Sequence, residues 1–126
     1  MESELEACSG AYMIMPRKIY EITGGFDPDY FMYAEDLDLC KLVRDAGYKV
    51  WYYPKTKCIH YKGKSSGKVA AFALFHFHDT MWIYYKKHYQ NKYSWLMSLF
   101  VYTGIWGRYY WLSFLNIFRK KKVVSK

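Results

Sequence analysis

Three carboxylates lie close together in the run Tyr-Ala-Glu-Asp-Leu-Asp, as Glu35, Asp36 and Asp38. They occupy the point where a predicted loop enters a predicted helix. A general base requires a carboxylate held at the edge of a cleft, and the first turn of a helix provides a rigid backbone with N–H groups that favour the ionised form. Acids in a first turn also serve simply to cap a helix. The motif alone leaves catalysis and capping both open.

A second group of polar residues follows His60, in the basic run Lys-Gly-Lys-Ser-Ser-Gly-Lys. A histidine beside such a loop can bind a metal ion or contact a diphosphate, and it is also a common surface residue. His76 and His78 are two positions apart on a predicted helix, so their side chains face different directions and form a poor metal pair. We interpret these two as packing or surface residues.

The three cysteines, Cys8, Cys40 and Cys58, form no Cys-x-x-Cys pair, so no zinc site is predicted. Their odd number excludes a complete set of internal disulfides and favours a reduced, cytosolic compartment. The N-terminus MESELEACSG is acidic and has no apolar core, so it does not resemble a signal peptide.

Charge is distributed unevenly along the 126 residues, although the formal net charge is +8. Residues 1–45 contain four basic and ten acidic side chains, whereas residues 46–126 contain fifteen basic and one acidic. The basic half favours an anionic partner: phosphate groups, nucleic acid or an anionic membrane surface. A composition that is 52% hydrophobic excludes an intrinsically disordered chain. The length predicts one domain at most.

Hydrophobic periodicity and turn residues predict an α/β chain with short strands and long C-terminal helices. In chain order we predict a buried strand at Ser9–Met15, a short helix at Arg17–Ile22, a loop at Phe26–Tyr33, a helix at Asp36–Ala46 ended by Gly47, strands at Tyr48–Tyr53 and Thr56–Tyr61, a helix at Val69–Tyr89 and an apolar segment at Tyr93–Phe118. The last segment holds ten aromatic residues and one charge. We expect it to lie in the cytoplasmic surface of a membrane, with a membrane span or a soluble packing helix as alternatives.

Several rarer pieces also stand in a fixed order: Ser-Gly-Ala, Pro-Arg, Gly-Gly-Phe-Asp, Phe-Met-Tyr-Ala-Glu-Asp-Leu-Asp-Leu-Cys, Gly-Tyr-Lys-Val, Pro54 and His60. In this order and spacing, residues 8–90 resemble the C-terminal half of the catalytic domain of family 2 glycosyltransferases, and most of all the bacterial rhamnosyltransferase-like members. The resemblance implies the C-terminal half of a GT-A (nucleotide-diphospho-sugar transferase) fold. We divide the chain accordingly into an acceptor-side portion at 1–67, a helical extension at 68–92 and a membrane-associated tail at 93–126.

The resemblance implies an inverting transfer of a sugar from a nucleotide-diphosphate donor to a hydroxyl of a glycan or lipid-linked acceptor. Asp36 would be the general base, and Glu35 would hold the acceptor hydroxyl. His60 would bind a divalent cation, Mn²⁺ or Mg²⁺, whose other ligands lie outside this chain. The further site residues implied are the acceptor-binding Gly24, Gly25, Phe26, Asp27 and Asp38 and the diphosphate-contacting Lys64, Ser65 and Ser66.

Enzymes of this family carry a donor-binding half, a βαβ unit with an aspartate-rich metal motif, and no such unit precedes Ser9 in this sequence. We therefore expect the chain to be a fragment that needs this N-terminal half in cis or in trans. The expected setting is cell-surface polysaccharide synthesis at the cytoplasmic face of a bacterial cell membrane. The alternative is a non-enzymatic, basic aromatic module for a membrane surface or polyanion. Nucleic acid is not the expected partner, because ordered RNA-binding motifs are absent.

Overall fold

The computed structural model describes residues 1–60 and 70–118. Its elements, in chain order, are β1 (Ser3–Leu5), α1 (Arg17–Thr23), α2 (Glu35–Asp45), β2 (Val50–Tyr52), α3 (Ala70–His88), a 3₁₀ turn (Gln90–Lys92) and α4 (Trp95–Phe118). Contacts divide the chain into unit 1, which is Met1–Asp29 with Ala34–Lys62, and unit 2, which is Tyr30–Tyr33 with Gly63–Lys126. The described part is therefore mixed α/β, with far more helix than strand. The predicted boundary after residue 67 lies outside the described residues.

Unit 1 is organised around α2, whose inner face is apolar. Leu39, Cys40 and Val43 are all buried, as their spacing of three and four residues predicts. The helix ends before Gly47, which adopts the left-handed region with φ 84° and donates its N–H to Arg44 O at 2.9 Å. A glycine suits this position because it has no Cβ to clash, and the predicted end of the helix is confirmed.

A two-stranded antiparallel sheet completes unit 1. β1 pairs with β2 so that Glu4 lies opposite Trp51 and Leu5 lies opposite Val50. An ion pair joins Glu4 Oε2 to Lys49 Nζ at 2.8 Å. β2 confirms the centre of the strand predicted at Tyr48–Tyr53. β1 was not predicted, because its three residues, Ser-Glu-Leu, carry too little of an apolar pattern to mark a strand.

Two of the predicted strands are wrong in the described part of the chain. Ser9–Met15 forms no strand, and its side chains Tyr12 and Ile14 are 52% and 80% exposed rather than buried. The strand predicted at Thr56–Tyr61 is absent over residues 56–60, and Tyr61 lies outside the described residues. A strand requires a neighbouring backbone for its hydrogen bonds, and in the described residues β2 is paired with β1 alone. Apolar composition without a partner strand is not sufficient.

Unit 2 contains α3 and α4, which pack on each other through aromatic side chains. Trp82 meets Tyr102 edge-on with ring centroids 5.1 Å apart, and Phe75 lies 5.9 Å from Trp106. α3 confirms the helix predicted at Val69–Tyr89 over its described residues, and α4 occupies the apolar segment predicted at Tyr93–Phe118. None of the described helices combines the length and the hydropathy that crossing a membrane requires.

The segment Tyr30–Tyr33 belongs to unit 2 because its rings pack on α3. Phe31 stacks on His76 with ring centroids 4.8 Å apart. Tyr33 meets Phe77 edge-on at 6.0 Å. Such aromatic contacts orient the chain as well as burying apolar area, so this part of the predicted loop has a defined conformation.

A buried polar contact also links α3 to α4. His78 is fully buried, with Nδ1 2.8 Å from Leu74 O and Nε2 2.9 Å from Arg108 Nη1. Arginine can only donate, so Nε2 accepts and the proton of the neutral ring sits on Nδ1. Burial lowers the pKa of His78 from 6.5, and the Arg108 charge lowers it further while the bond to Leu74 opposes the shift. His78 is therefore a packing residue.

Candidate functional site

The backbone is strained where the chain enters α2. Tyr33 and Ala34 have φ values of 72° and 64°, in the left-handed region that costs a residue with a Cβ about 1–2 kcal/mol. Ala34 is the N-cap of α2, and its side chain makes no capping hydrogen bond. The acids Glu35, Asp36 and Asp38 lie in the first turn, so the capping and the catalytic interpretations both stay open. Backbone strain of this kind often accompanies a functional site.

Asp36 is held at the start of α2 by two backbone donors. The Gly10 N–H donates to Oδ2 and the Leu37 N–H donates to Oδ1, each at 2.8 Å. Hydrogen bonds to a charged oxygen are stronger than those between neutral groups, so they fix the orientation of the carboxylate. The side chain is only half-buried. Asp36 therefore combines a fixed orientation with access from solvent, as a general base requires.

Gly10 is a site residue that was not singled out from the sequence. A Cβ placed on Gly10 would lie 3.3 Å from Asp36 Cβ, tighter than ordinary van der Waals contact. A larger residue would therefore push against the carboxylate that the Gly10 N–H now orients. The available signal was the small-residue piece Ser-Gly-Ala, which was assigned to a strand instead.

Glu35 lies next to Asp36 in the first turn of α2 and is half-buried. Its Oε2 atom is buried and accepts no hydrogen bond from any described residue. A buried carboxylate oxygen without a partner is unfavourable, and a hydroxyl group of a ligand would supply the missing donor. The predicted role of Glu35 in holding an acceptor hydroxyl remains a prediction with this atom as its structural basis.

Asp38, the third acid of the motif, is more deeply buried than Glu35 and Asp36. Its side chain is fully buried, with 0% exposure, although it lies only two residues after Asp36 in the same helix. The backbone N–H of Asp38 donates to Ala34 O at 2.9 Å and so closes the first turn. The helix turns the Asp38 side chain away from solvent, and its expected contact with an acceptor stays a prediction.

The Gly-Gly-Phe-Asp piece follows α1, which packs on α2 within unit 1. Gly24 and Gly25 have φ values of 79° and 73°, a conformation that favours glycine. Phe26 is exposed. Asp27 Oδ1 accepts the N–H of Asp29 at 2.9 Å, which forms a turn inside the loop predicted at Phe26–Tyr33. Its expected contact with an acceptor therefore stays a prediction that is compatible with the exposed ring beside it.

Two thiols fasten the Gly10 segment to α2. Cys8 Sγ lies 3.9 Å from Cys40 Sγ, and the Cys8 N–H donates to Cys40 Sγ at 3.5 Å. Both cysteines are free. Burial raises the pKa of Cys8 from 9.0 to about 11, and Cys40 and the charge of Asp36 add to the shift. Since Cys40 lies one helical turn after Asp36, this contact supports the position from which Gly10 donates.

His60 lies beyond β2 and is exposed. In residues 1–60 and 70–118, no three His, Cys, Asp or Glu side chains are grouped closely enough to hold a metal ion. The described residues therefore do not fit a cation site by themselves, and the chemistry derived below uses the carboxylates alone. The predicted diphosphate contacts, Lys64, Ser65 and Ser66, lie outside the described residues.

Comparison with known proteins decides the family. Residues 2–74 match the family described as "Glycosyltransferase like family 2". The chain belongs to the family 2 glycosyltransferases. The N-acetylglucosaminyl-diphospho-decaprenol L-rhamnosyltransferase of Mycobacterium tuberculosis, in strains CDC 1551 and H37Rv, is 36% identical over 76 residues. Rhamnosyltransferase WbbL of Escherichia coli K12 is 37% identical over 60 residues. This glycosyltransferase is therefore rhamnosyltransferase-like, as its motifs indicated.

The similarity is confined to part of each protein. The alignments cover 60% of this chain and 25% of the mycobacterial protein, and 48% of this chain and 23% of the Escherichia coli protein. The glycosyltransferase chain thus spans about a quarter of the length of these relatives. No solved structure matches it significantly. All the candidate site residues lie within the family match, and α4 lies beyond it.

Proposed function

We propose that this glycosyltransferase chain forms the acceptor-side half of a GT-A catalytic domain. The donor would be a nucleotide-diphosphate sugar, with rhamnose the first candidate because the relatives are named as rhamnosyltransferases. The acceptor would be a hydroxyl of a lipid-linked glycan, since one relative is named for a diphospho-decaprenol substrate. The observation that carries the proposal is the Asp36 carboxylate, which the Gly10 N–H orients at the start of α2.

Asp36 would act as the general base. Its carboxylate takes the proton of the acceptor hydroxyl while the hydroxyl oxygen forms a bond to the anomeric carbon of the sugar. The bond between this carbon and the nucleotide diphosphate breaks, and the diphosphate leaves with the electron pair. Attack opposite to the leaving group inverts the configuration. Because a carboxylate is a weak base for an alcohol, the proton moves late and positioning supplies much of the effect.

Glu35 and the Gly-Gly-Phe-Asp piece would shape the acceptor pocket. The buried Oε2 of Glu35 has no hydrogen-bond partner in the described residues, and an acceptor hydroxyl would donate to it. The exposed ring of Phe26 would lie along a face of a sugar, where aromatic rings provide apolar contact. Both features lie in unit 1 together with Asp36.

The donor-binding half would come from sequence outside this chain, in cis or in trans. This proposal is supported by the alignment with the mycobacterial relative, which covers only 25% of that protein. We place the reaction at the cytoplasmic face of a bacterial cell membrane, in the synthesis of a surface polysaccharide. His60 remains the proposed single contribution of this chain to a divalent cation, Mn²⁺ or Mg²⁺.

The test uses this chain fused to the donor-binding half of the Escherichia coli relative and measures transfer of rhamnose to a lipid-diphosphate acceptor. Asp36→Asn should lower kcat by about 10²–10⁴-fold, the usual contribution of a general base. The control is Asp45→Asn, which removes a carboxylate that pairs with Lys41 at the other end of α2 and should leave kcat unchanged. A kcat for Asp36→Asn close to that of the Asp45→Asn enzyme would remove Asp36 from the mechanism.

A non-enzymatic membrane or polyanion module was the alternative predicted from composition. Membership of the glycosyltransferase family favours the enzyme. The two are separated by nucleotide-sugar binding to the fused protein, measured by calorimetry. Donor binding together with transfer supports the enzyme, whereas membrane binding without either would favour the module.

A further inference from the structure

One side of α4 packs on α3. Ile105 and Asn116 are buried on this side, and Arg108 Nη1 lies 2.9 Å from His78 Nε2. With 3.6 residues per turn, the three α4 residues share one side of the helix. The one charged side chain of α4 is therefore directed to α3.

The opposite side of α4 is apolar and exposed along the whole helix, and we call it the outer face. Its large side chains recur at spacings of three and four residues and are between 50% and 74% exposed. They are Leu96, Leu99, Phe100, Tyr110, Trp111, Phe114, Ile117 and Phe118. A helix ordinarily presents charged and polar side chains to solvent, whereas the outer face presents apolar ones.

The outer face is larger than the surface of a monomeric soluble protein ordinarily tolerates. An aromatic side chain has about 150–250 Å² of surface, so the five aromatic side chains of the outer face, each more than half exposed, together expose roughly 650 Å². The three aliphatic side chains add to this area. The largest apolar patch on a typical monomer is about 300–600 Å². A patch of this size indicates a binding surface.

The chemistry of the outer face fits a lipid bilayer better than a protein. A protein interface makes about one hydrogen bond per 100–200 Å², but this face offers few groups that could form one. The hydroxyl of Thr103, which lies on it, already donates to Leu99 O at 2.9 Å. Tryptophan and tyrosine, present here as Trp111 and Tyr110, are the residues enriched where a bilayer meets water.

The sequence on either side of α4 is basic, which complements anionic headgroups. Between residues 80 and 118 the sequence contains no acidic residue and four basic ones, of which Lys86, Lys87 and Lys92 lie near the turn between α3 and α4. The next four residues of the sequence, 119–122, are Arg-Lys-Lys-Lys. Basic residues beside an aromatic apolar face are typical of helices that lie in a membrane interface.

We propose that the outer face of α4 inserts into the interfacial layer of a bilayer rich in anionic phospholipid, with the helix in the plane of the membrane. Membrane binding by α4 rests on the proposed function only in its purpose, which would be to keep the enzyme close to lipid-linked acceptors. The binding itself requires neither donor nor catalysis, so the two proposals can fail separately.

Flotation of the purified chain with vesicles tests the proposal. Vesicles of equal parts phosphatidylcholine and phosphatidylglycerol should carry the chain upwards, and pure phosphatidylcholine or high salt should weaken binding about tenfold. Phe100→Asp and Trp111→Asp should each lower the partition coefficient about tenfold or more. The matched control is Met81→Asp, the same charge on an exposed residue of α3, which should bind within a factor of about two of wild type.

A milder variant protects the test against misfolding. Brominated lipids in the vesicles should quench the fluorescence of Trp111, and Trp111→Phe should remove that part of the quenching while the protein still floats. Wild-type chain that stays at the bottom of the gradient, or quenching that Trp111→Phe leaves unchanged, would overturn the proposal. A dimer in sedimentation that Phe100→Asp dissociates, without any flotation, would assign the outer face to a second copy instead. In the fused enzyme, Asp36→Asn should lower kcat about 10²–10⁴-fold and leave flotation intact.

Discussion

Replacing each of the two adjacent glycines after α1 by alanine should have unequal effects on stability. Gly24 and Gly25 both have positive φ, 79° and 73°, so alanine at either position costs about 1 kcal/mol from backbone strain. The two positions differ in their surroundings. A Cβ on Gly25 would overlap the ring of Tyr20, whereas no atom of the described residues lies within 4 Å of a Cβ on Gly24.

The additional effect at Gly25 follows from how Tyr20 can respond. The atoms that clash are at the end of its ring, and the residue is 44% exposed, so the ring can rotate into solvent. Uncovering roughly 40 Å² of apolar surface costs about 1 kcal/mol at 25 cal/mol per Å². We therefore expect Gly24→Ala to lower the free energy of unfolding by about 1 kcal/mol and Gly25→Ala by about 2 kcal/mol.

Urea denaturation followed by circular dichroism measures both values. Tyr20→Ala provides the matched control. In its background, the loss of unfolding free energy caused by Gly25→Ala should shrink by about 1 kcal/mol, and the loss caused by Gly24→Ala should stay the same. Equal losses for the two glycines would refute the reasoning. An unchanged loss for Gly25→Ala after Tyr20→Ala would show that the ring is not the source of the difference.

Three further predictions concern titrating groups and the cation. The folded pKa of Cys8 is raised from 9.0 to about 11, so its contribution to stability is complete below pH 9.0 and is lost as the pH rises towards 11. Because the reactive form is the thiolate, iodoacetamide at pH 8 should modify the exposed Cys58 well before Cys8. Asp36→Asn should accelerate the reaction of Cys8. The folded pKa of His78 is lowered from 6.5, so the free energy of unfolding should fall as the pH drops below 6.5. Melting temperatures measured against pH check this: His78→Gln should lack the dependence, and the exposed-site control His60→Gln should retain it. In the fused enzyme, His60→Ala should raise the Mn²⁺ concentration needed for half-maximal transfer, and an unchanged titration would exclude His60 as a ligand.

Local sequence features predicted the helices well. The apolar spacing of Leu39, Cys40 and Val43 marked α2, and Gly24 and Gly47 marked the ends of two helices, where their positive φ values are observed. These features could be predicted because a helix makes its hydrogen bonds within a few residues of sequence.

The strands were predicted less well because their bonds join distant parts of the chain. Ser9–Met15 is apolar, yet it forms no strand in the described residues, and β1 was not predicted although it pairs with β2 over more than forty residues of sequence. The composition of a segment does not specify whether another strand lies beside it.

The sequence by itself determined the family and the identity of the candidate carboxylates, because Glu35 and Asp36 stand in a motif whose order and spacing need no structure to be recognised. Tertiary structure alone decided how these carboxylates are held and how far each is exposed. It placed Gly10, 26 residues away, where its N–H orients Asp36, and it buried Asp38 completely. Both outcomes depend on packing between segments distant in sequence, which local patterns of residues do not specify.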